Sequence, residues 1–178
     1  SELKKFFLKK NIPFVLTWNT IDLFETNMKE NLGIIGMSGQ AGANKVVFNS
    51  DLLICLGSHL SIPHTTTLVE SYAPKAKKIF INIDKDQLNN LNLNSDLSIN
   101  IDLFSFMNLI KDLSINNKSY KRIDTFKEFN SKSKPAKKEL VDPNIFFKKL
   151  TSLTTKDTAI VVDGGGTALY TGFQSSSL

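Results

Sequence analysis

The chain has 178 residues, of which 41% are apolar and 22% charged, a composition that suits one ordinary water-soluble domain and leaves room for part of a second. Its single cysteine excludes an internal disulfide framework and any multi-cysteine metal site. No apolar run approaches the ~18 residues that a membrane-spanning helix needs, and residues 1–11 lack the apolar stretch of a signal peptide. We therefore expect a cytoplasmic protein.

The formal net charge of +5 is concentrated in one segment. Residues 114–141 contain eight Lys or Arg against three Asp or Glu, a surplus as large as the net charge of the whole chain. This segment is rich in Ser and Asn, and its aromatic residues Tyr120, Phe126 and Phe129 belong to no recognised nucleic-acid-binding motif. We interpret it as a solvated basic linker and expect neither a nucleic-acid nor a membrane partner.

The first hundred residues predict alternating helices and strands. Leu3, Phe6 and Phe7 share one helical face, and Pro13 ends that helix before the extended segment FVLTW. The runs DLLICLG at 51–57 and KIFINID at 78–84 are almost continuously apolar, which is typical of parallel strands covered on both faces. The segment SDLSINI at 95–101 predicts one more strand.

Two helices with clear N-caps are predicted on either side of the linker. The first begins after Asp102, and its apolar stripe comprises Leu103, Phe106, Met107, Ile110 and Leu113. In the second, Asp142 is the N-cap and Pro143 the first helical residue, and the buried residues are predicted to be Phe146, Phe147, Leu150 and Leu153. The whole order predicts an α/β domain, a linker and the beginning of a second α/β unit.

The C-terminal segment TAIVVDG at 158–164 predicts a new parallel strand that runs into Gly164, Gly165, Gly166 and Thr167 and then into another helix. A strand followed by a glycine-rich turn and a helix start directs backbone N–H groups and the positive end of a helix dipole at a phosphate. We therefore expect a phosphate-binding turn at these four residues.

Glycines also concentrate between Gly33 and Ser58. Those at 33, 36, 39 and 42 let the backbone approach a ligand closely, and Asn44–Ser50 is predicted as a short helix before the strand that ends at Gly57. Ligands of open parallel sheets bind at the carboxyl edge of the strands, so a nucleotide-sized ligand fits this pattern. The alternative is that the glycines only permit a tight turn and close packing, since the G-x-G-x-x-G spacing is absent.

Taken in order, IPFVLTWN, GIIGMSGQAGANKVV, SDLLICLGS and YAPKAKKIFINID resemble the central domain of thiamine-diphosphate-dependent enzymes of the acetolactate synthase and 2-oxoacid decarboxylase family. The resemblance covers about residues 13–113 and again 142–174. It implies a Rossmann-like parallel sheet with flanking helices in residues 1–113, a linker at 114–141, and the N-terminal part of the diphosphate-binding domain in residues 142–178.

The resemblance implies an enzyme that decarboxylates 2-oxoacids or joins them, with thiamine diphosphate and Mg²⁺ as cofactors and a homodimer or tetramer as the assembly. Thiamine diphosphate would contact the glycine turn, Gly164 to Thr167. The family's activating glutamate and its Gly-Asp-Gly motif for Mg²⁺ are absent, and so is the strand that precedes the first helix in relatives. We therefore expect a fragment with no catalytic or metal-binding residues of its own, inactive by itself, whose central sheet lacks one strand.

In acetolactate synthases the central domain resembles a FAD-binding domain, whereas many relatives hold ADP or nothing there. By motif matching, the contacts would come from Thr17, Trp18, Gly36, Met37, Ser38, Gly57, Ser58, His59, Ile83 and Asp84. The flavin-binding synthases usually have His at the position of Ser38 and Arg at the position of His59. Without that arginine, electrostatic pairing with the flavin phosphates would be weaker.

Several single residues have two interpretations. Cys55, inside an apolar strand, is expected to be a core residue with an inert thiol, and His59 and His64 are expected to be loop residues rather than metal ligands. Trp18 either faces a ligand or covers the core. Asp84 either accepts a hydrogen bond from a ribose hydroxyl or caps a helix.

Two other function classes stay open at this point. The segment LLICLGSHLSIP also resembles the sirtuin-like NAD-dependent deacylases, although their Gly-Ala-Gly-Ile-Ser motif and four zinc cysteines are absent. The chain could also be a nucleotide-binding, flavin-binding or scaffolding domain without catalysis.

Overall fold

The computed structural model describes residues 2–65, 67–114, 140–155, 157–161, 166 and 171–172. The elements in chain order are α1 Glu2–Lys10, β1 Phe14–Leu16, β2 Asn31–Ile34, α2 Ala41–Phe48, β3 Leu52–Leu56, β4 Lys77–Asn82, α3 Lys85–Asn89, β5 Leu97–Asn100, α4 Leu103–Ile110 and α5 Pro143–Ser152. Two short 3-10 helices lie at Trp18–Thr20 and Val69–Ser71. Within these residues, no helix is both long and apolar enough to cross a membrane.

The strands form two separate parallel sheets. In the first, β1 pairs with β2, so that Phe14 lies opposite Asn31. In the second, the order is β3-β4-β5, and Cys55 of β3 lies opposite Phe80 of β4. Both sheets are parallel and both are flanked by helices, which confirms the α/β class and the Rossmann-like parallel arrangement predicted from the sequence.

Helix α1 packs on one face of both sheets. Phe7 belongs to a buried cluster with Phe14 of β1, and Leu56 of β3 packs against the same cluster. Leu3 packs against this cluster and also against a second one, which contains Ile81 of β4 and residues of α4. The face that α1 and α4 cover is called the α1 face below.

Helix α2 packs on the opposite face, again across both sheets. Its Ala43 is in a buried cluster with Cys55 of β3 and Phe80 of β4, and Val15 of β1 packs against that cluster. Tyr72, from the connection between β3 and β4, lies in the same cluster. The two sheets therefore form the middle layer of three, between the α1 face and the α2 face.

The predicted N-caps are confirmed. The Asp102 carboxylate accepts a hydrogen bond of 2.9 Å from the backbone N–H of Ser105 at the start of α4. The Asp142 carboxylate accepts one of 2.8 Å from the N–H of Asn144 at the start of α5, where Pro143 is the first helical residue. Each cap satisfies a backbone N–H that has no partner within its helix.

Helix boundaries and helix burial differ from the prediction in three places. Helix α2 begins at Ala41 and ends at Phe48 instead of running from Asn44 to Ser50, because small residues in its first turn let it pack closely against the sheet. Helix α4 ends at Ile110, so Leu113 lies beyond it and is exposed. In α5, Phe147 is buried, whereas two other residues predicted to be buried are exposed, Phe146 and Leu153.

Strand β3 is less covered than its apolar sequence predicts. Leu52 and Ile54 are 49% and 45% exposed, although both were expected to be buried in a sheet covered on both faces. The reason is that β3 is an edge strand among the described residues, where it pairs with β4 on one side and with no strand on the other. The prediction of complete coverage was therefore wrong for this strand.

The C-terminal predictions are tested only in part. Residues 158–161 of TAIVVDG form no strand, and Val161 is 92% exposed, because nothing in the described part of the chain pairs with them or covers them. Residues 162–164, like most of the predicted linker, lie outside the described residues. Residues 171–172 are helical, in agreement with the predicted helix after the glycine turn, whereas Gly166, which was predicted to lie in the turn, is itself helical.

Candidate functional site

The predicted nucleotide-contacting residues all follow the carboxyl ends of strands. They are Thr17 and Trp18 after β1, Gly36, Met37 and Ser38 after β2, Gly57, Ser58 and His59 after β3, and Ile83 and Asp84 after β4. The connection from β1 to β2 runs over the α1 face, whereas the one from β2 to β3 runs over the α2 face. A change of direction of this kind creates the position where open parallel sheets bind ligands. We call this place the carboxyl-edge site.

The turn after β2 is anchored by a side chain of α2. The Asn44 Oδ1 atom accepts a 2.8 Å hydrogen bond from the Gly36 N–H, and Asn44 Nδ2 donates a 3.0 Å hydrogen bond to the Gly36 carbonyl. Gln40 adds a second anchor, because its Oε1 accepts from the N–H of Ile34 at 3.0 Å. Neither anchor was predicted, because the sequence offers only the signal of an amide side chain close to a glycine turn.

The loop after β3 packs directly on this turn. Gly36 has φ +102°, and a Cβ at this position would lie 2.2 Å from the Pro63 carbonyl oxygen. The Met37 N–H donates a hydrogen bond of 2.8 Å to the same oxygen. Glycine is therefore required at position 36 for two reasons, its backbone conformation and the close approach of another chain segment.

Two buried polar side chains lie in the two segments that meet here. Ser38 and His64 are only 1% and 6% exposed. The His64 Nδ1 atom shares a 3.1 Å hydrogen bond with the Ser61 hydroxyl, and its ring lies edge-on to Trp18 with the ring centroids 4.9 Å apart. The His64 Nε2 and Ser38 Oγ atoms have no hydrogen-bond partner within the described residues. Buried polar atoms of this kind usually bond to an ordered water or to a ligand, so these two atoms are the candidates for such a contact.

The charge state of His64 follows from its position. Burial lowers the pKa of His64 below its ordinary 6.5, and the nearby His59 lowers this pKa further. A histidine with a lowered pKa is mainly neutral at pH 7, so Nε2 offers either one donor or one acceptor, depending on the tautomer. The described residues include no group of three or more His, Cys, Asp or Glu that could hold a metal ion.

Of the other predicted nucleotide-contacting residues, some are exposed at the ends of strands and others cap a helix or cover a buried ring. Met37, His59 and Ile83 are exposed at the ends of their strands. Asp84 caps α3, since its Oδ1 accepts from the N–H groups of Asp86 at 2.9 Å and Gln87 at 3.1 Å. The helix-cap interpretation of Asp84 is thereby confirmed. Trp18 is partly buried, and its ring covers the His64 ring.

Cys55 behaves as the sequence predicts. Its thiol is buried in the cluster between β3, β4 and α2. Burial raises the pKa of this thiol to about 12, and the positive charge of Lys78 offsets only part of this effect. A thiol of this kind stays protonated at neutral pH and does not act as a nucleophile.

Three of the four residues predicted to contact thiamine diphosphate, Gly164, Gly165 and Thr167, lie outside the described residues. The fourth, Gly166, is helical and exposed. The assignment of these residues to thiamine diphosphate therefore stays a prediction.

Alanine should destabilise the protein more at Gly36, where a Cβ would meet Pro63, than at Gly57, where a Cβ would meet no other atom within 4 Å. We expect Gly36→Ala to lower the free energy of unfolding by roughly 3 kcal/mol, because it adds backbone strain at positive φ and a clash with Pro63. Gly57 also has positive φ, +58°, but a Cβ there would meet nothing within 4 Å, so Gly57→Ala should cost only about 1 kcal/mol. Urea unfolding of both variants measures the difference, and equal losses would contradict the predicted contact.

The lowered pKa of His64 predicts a loss of stability in mild acid. Below about pH 6.5 the unfolded chain binds a proton on this residue more readily than the folded chain does, so the free energy of unfolding should fall as the pH drops. We expect His64→Gln to reduce the stability difference between pH 7.5 and pH 5.5, whereas His59→Gln should leave most of it. An unchanged difference in His64→Gln would show that other groups cause the pH dependence.

Comparison with known proteins gives the family. Residues 1–109 match the family described as "Thiamine pyrophosphate enzyme, central domain". The acetolactate synthase large subunit of Buchnera aphidicola subsp. Schlechtendalia chinensis is 33% identical over 84 residues, which are 47% of this chain and 14% of that protein. The probable acetolactate synthase 2, chloroplastic, of Oryza sativa subsp. japonica is 34% identical over 87 residues, 49% of this chain and 13% of that protein.

A third relative carries a different name. The 3D-(3,5/4)-trihydroxycyclohexane-1,2-dione hydrolase of Listeria monocytogenes is 34% identical over 79 residues, 44% of this chain and 12% of that protein. The matched segment is thus a small part of each of these relatives. The family match, by contrast, covers more than half of this chain and coincides with its α/β unit. The chain therefore belongs to the thiamine pyrophosphate enzyme family, through the central domain of that family.

Proposed function

We propose that this chain is part of an enzyme that uses thiamine diphosphate to decarboxylate 2-oxoacids or to join them, in the manner of acetolactate synthases. The observation that carries the proposal is the family match over residues 1–109, which ends within α4, the last helix of the α/β unit. The names of the relatives in bacteria and plants support the acetolactate synthase type. The match also favours this family over the deacylase resemblance.

In this proposal the glycine turn, Gly164 to Thr167, contacts the diphosphate. Thiamine diphosphate, when bound, supplies the carbanion-stabilising group, and the protein positions it. Gly166 is exposed at a helical position, which fits a residue at the start of a helix that faces an anion. Mg²⁺ belongs to the same proposal, because a diphosphate is commonly bound together with a divalent cation. We also propose that the enzyme is a homodimer or tetramer and that it is cytoplasmic.

A second candidate function is nucleotide binding at the carboxyl-edge site, with FAD or ADP as the ligand. The observation that favours it is a pair of buried polar atoms, Ser38 Oγ and His64 Nε2, which have no hydrogen-bond partner among the residues that the structure describes. The ten candidate contact residues include no Lys or Arg. The phosphates would therefore bind to backbone N–H groups and to the N-terminus of α2 rather than to cationic side chains. This function does not exclude the first, since the two sites use different segments of the chain.

The first function is tested on the full-length product of the gene. We expect it to consume pyruvate only when thiamine diphosphate and Mg²⁺ are both present, and the 178-residue chain alone to show neither activity nor micromolar cofactor affinity. In the full-length protein, Gly165→Val should raise the Kd for thiamine diphosphate at least tenfold with little change in Tm. Gly172→Ala serves as a control, because a Cβ there would only contact the Phe147 ring at 3.4 Å. A full-length product that consumes no 2-oxoacid would contradict the proposal.

The second function can be followed through Trp18, the single tryptophan of the chain. We expect ADP or FAD to change its fluorescence, and Ser38→Ala to weaken the binding about tenfold, the loss of one ligand hydrogen bond of roughly 1.4 kcal/mol. Ser38→Ala should not destabilise the chain, because the hydroxyl it removes has no partner in the described residues. Ser71→Ala, which removes an exposed hydroxyl bonded to the Leu68 carbonyl, is the matched control. No fluorescence change at millimolar ADP or FAD would exclude this candidate.

A further inference from the structure

The chain contains three methionines, and one of them has an exposed side chain. Met28 and Met107 are each 8% exposed, and both belong to buried clusters on the α1 face. Met37, which lies in the carboxyl-edge site, is 67% exposed and belongs to none of the buried clusters of the described residues. Solvent therefore reaches the thioether of Met37, whereas the other two thioethers are shielded.

The backbone around Met37 holds its side chain at the surface. Residues 36–39 form a β-turn, in which the Gly39 N–H donates a 3.0 Å hydrogen bond to the Gly36 carbonyl. Met37 and Ser38 are the two central residues of this turn. The Ser38 side chain is buried and the Met37 side chain is exposed, so the turn directs one into the protein and the other into solvent.

Two other segments hold this turn in place. Asn44 of α2 makes hydrogen bonds to both backbone groups of Gly36, and the Met37 N–H donates a 2.8 Å hydrogen bond to the Pro63 carbonyl in the loop after β3. Burying Met37 would require breaking these bonds, so its sulfur stays accessible in the folded protein. The other two methionines become accessible only when a buried cluster opens, which is a rarer event.

The remaining sulfur atom of the chain does not compete with Met37 for an oxidant. Cys55 is buried between β3, β4 and α2, and burial raises the pKa of its thiol to about 12. Peroxides react with the thiolate form of cysteine, which this residue does not populate at neutral pH. The thioether of Met37 is therefore the most accessible sulfur nucleophile of the chain.

A hydroperoxide oxidises a thioether in one two-electron step. The sulfur lone pair attacks the hydroxyl oxygen of the peroxide, the O–O bond breaks and an S–O bond forms. The hydrogen of that hydroxyl moves to the departing oxygen, which leaves as water or as an alcohol. Sulfur loses two electrons and the peroxide gains them, and the product is a polar sulfoxide.

The position of Met37 determines what this step does to the protein. A sulfoxide in a core disrupts packing, because it introduces a polar group among apolar ones. At Met37 the new oxygen is in solvent, and the side chain leaves no buried cluster of the described residues. Oxidation therefore replaces an apolar, polarizable group of the carboxyl-edge site with a hydrogen-bond acceptor and leaves the cores unchanged.

We propose that Met37 is a reversible oxidation site, where hydroperoxides convert the thioether to a sulfoxide and thereby change the polarity of the carboxyl-edge site while the fold stays intact. The inference goes beyond the proposed function. It depends on neither thiamine diphosphate nor a nucleotide, because it uses only the exposure and the backbone contacts of Met37.

The first test measures where the folded 178-residue chain is oxidised. The chain is treated with millimolar hydrogen peroxide, and its peptides are weighed at successive times by mass spectrometry. We expect the peptide with Met37 to gain one oxygen atom at least tenfold faster than the peptides with Met28 and Met107. In concentrated urea the three rates should become similar, because unfolding exposes all three side chains. Equal rates in the folded chain would overturn the proposal.

Two matched variants locate the reaction independently. Leucine has nearly the volume of methionine and no sulfur, so both replacements should preserve the fold. Met37→Leu should take up no oxygen during the time in which the unmodified sequence takes up one atom. Met28→Leu, which removes a shielded methionine, should take up oxygen as fast as the unmodified sequence. Uptake that persists in Met37→Leu, or that is lost in Met28→Leu, would contradict the assignment.

The last test asks whether oxidation stays local and reversible. Backbone NMR signals should shift at Gly36, Ser38 and His64 and stay unchanged at Phe80 and Ile81, and Tm should change by less than about 2 °C. Methionine sulfoxide reductases specific for each of the two sulfoxide epimers should restore the original mass and signals. Shifts throughout the core or a large fall in Tm would show that the fold does not tolerate the change. A mass that the reductases cannot restore would refute reversibility.

Discussion

The rest of the arrangement depends on helix α2, which packs on one face of both sheets and also holds the turn of the carboxyl-edge site. Ala43, which is completely buried, lets the helix approach Cys55 and Phe80 on the sheet. The next residue, Asn44, holds both backbone groups of Gly36. One helical turn therefore fixes the distance between helix and sheet and also the shape of the turn that carries Ser38. A larger residue at position 43 would disturb the core and the site together.

The features that the sequence predicted correctly depend on residues close together along the chain. Asp102 and Asp142 cap helices because their carboxylates need to reach an N–H only two or three residues away. The start of α2 was misjudged because Gly42 was assigned to backbone that approaches a ligand, whereas Gly42 and Ala43 are buried in the first turn of the helix. The exposure of Leu52 and Ile54 could not be read from their apolar run, since it depends on which strand lies beside β3.

In the candidate site, too, some features follow from the sequence alone and others depend on tertiary contacts. The candidate residues from Thr17 to Asp84 came from matching the motifs of the family, and the parallel direction of the strands explains why they all follow carboxyl ends of strands. His64 was considered only as a loop residue, since its importance comes from a tertiary contact: the loop that carries it rests on Gly36 through Pro63. No local pattern announces such a contact. Family membership gives the fold of this edge but not its ligand, which depends on these side chains.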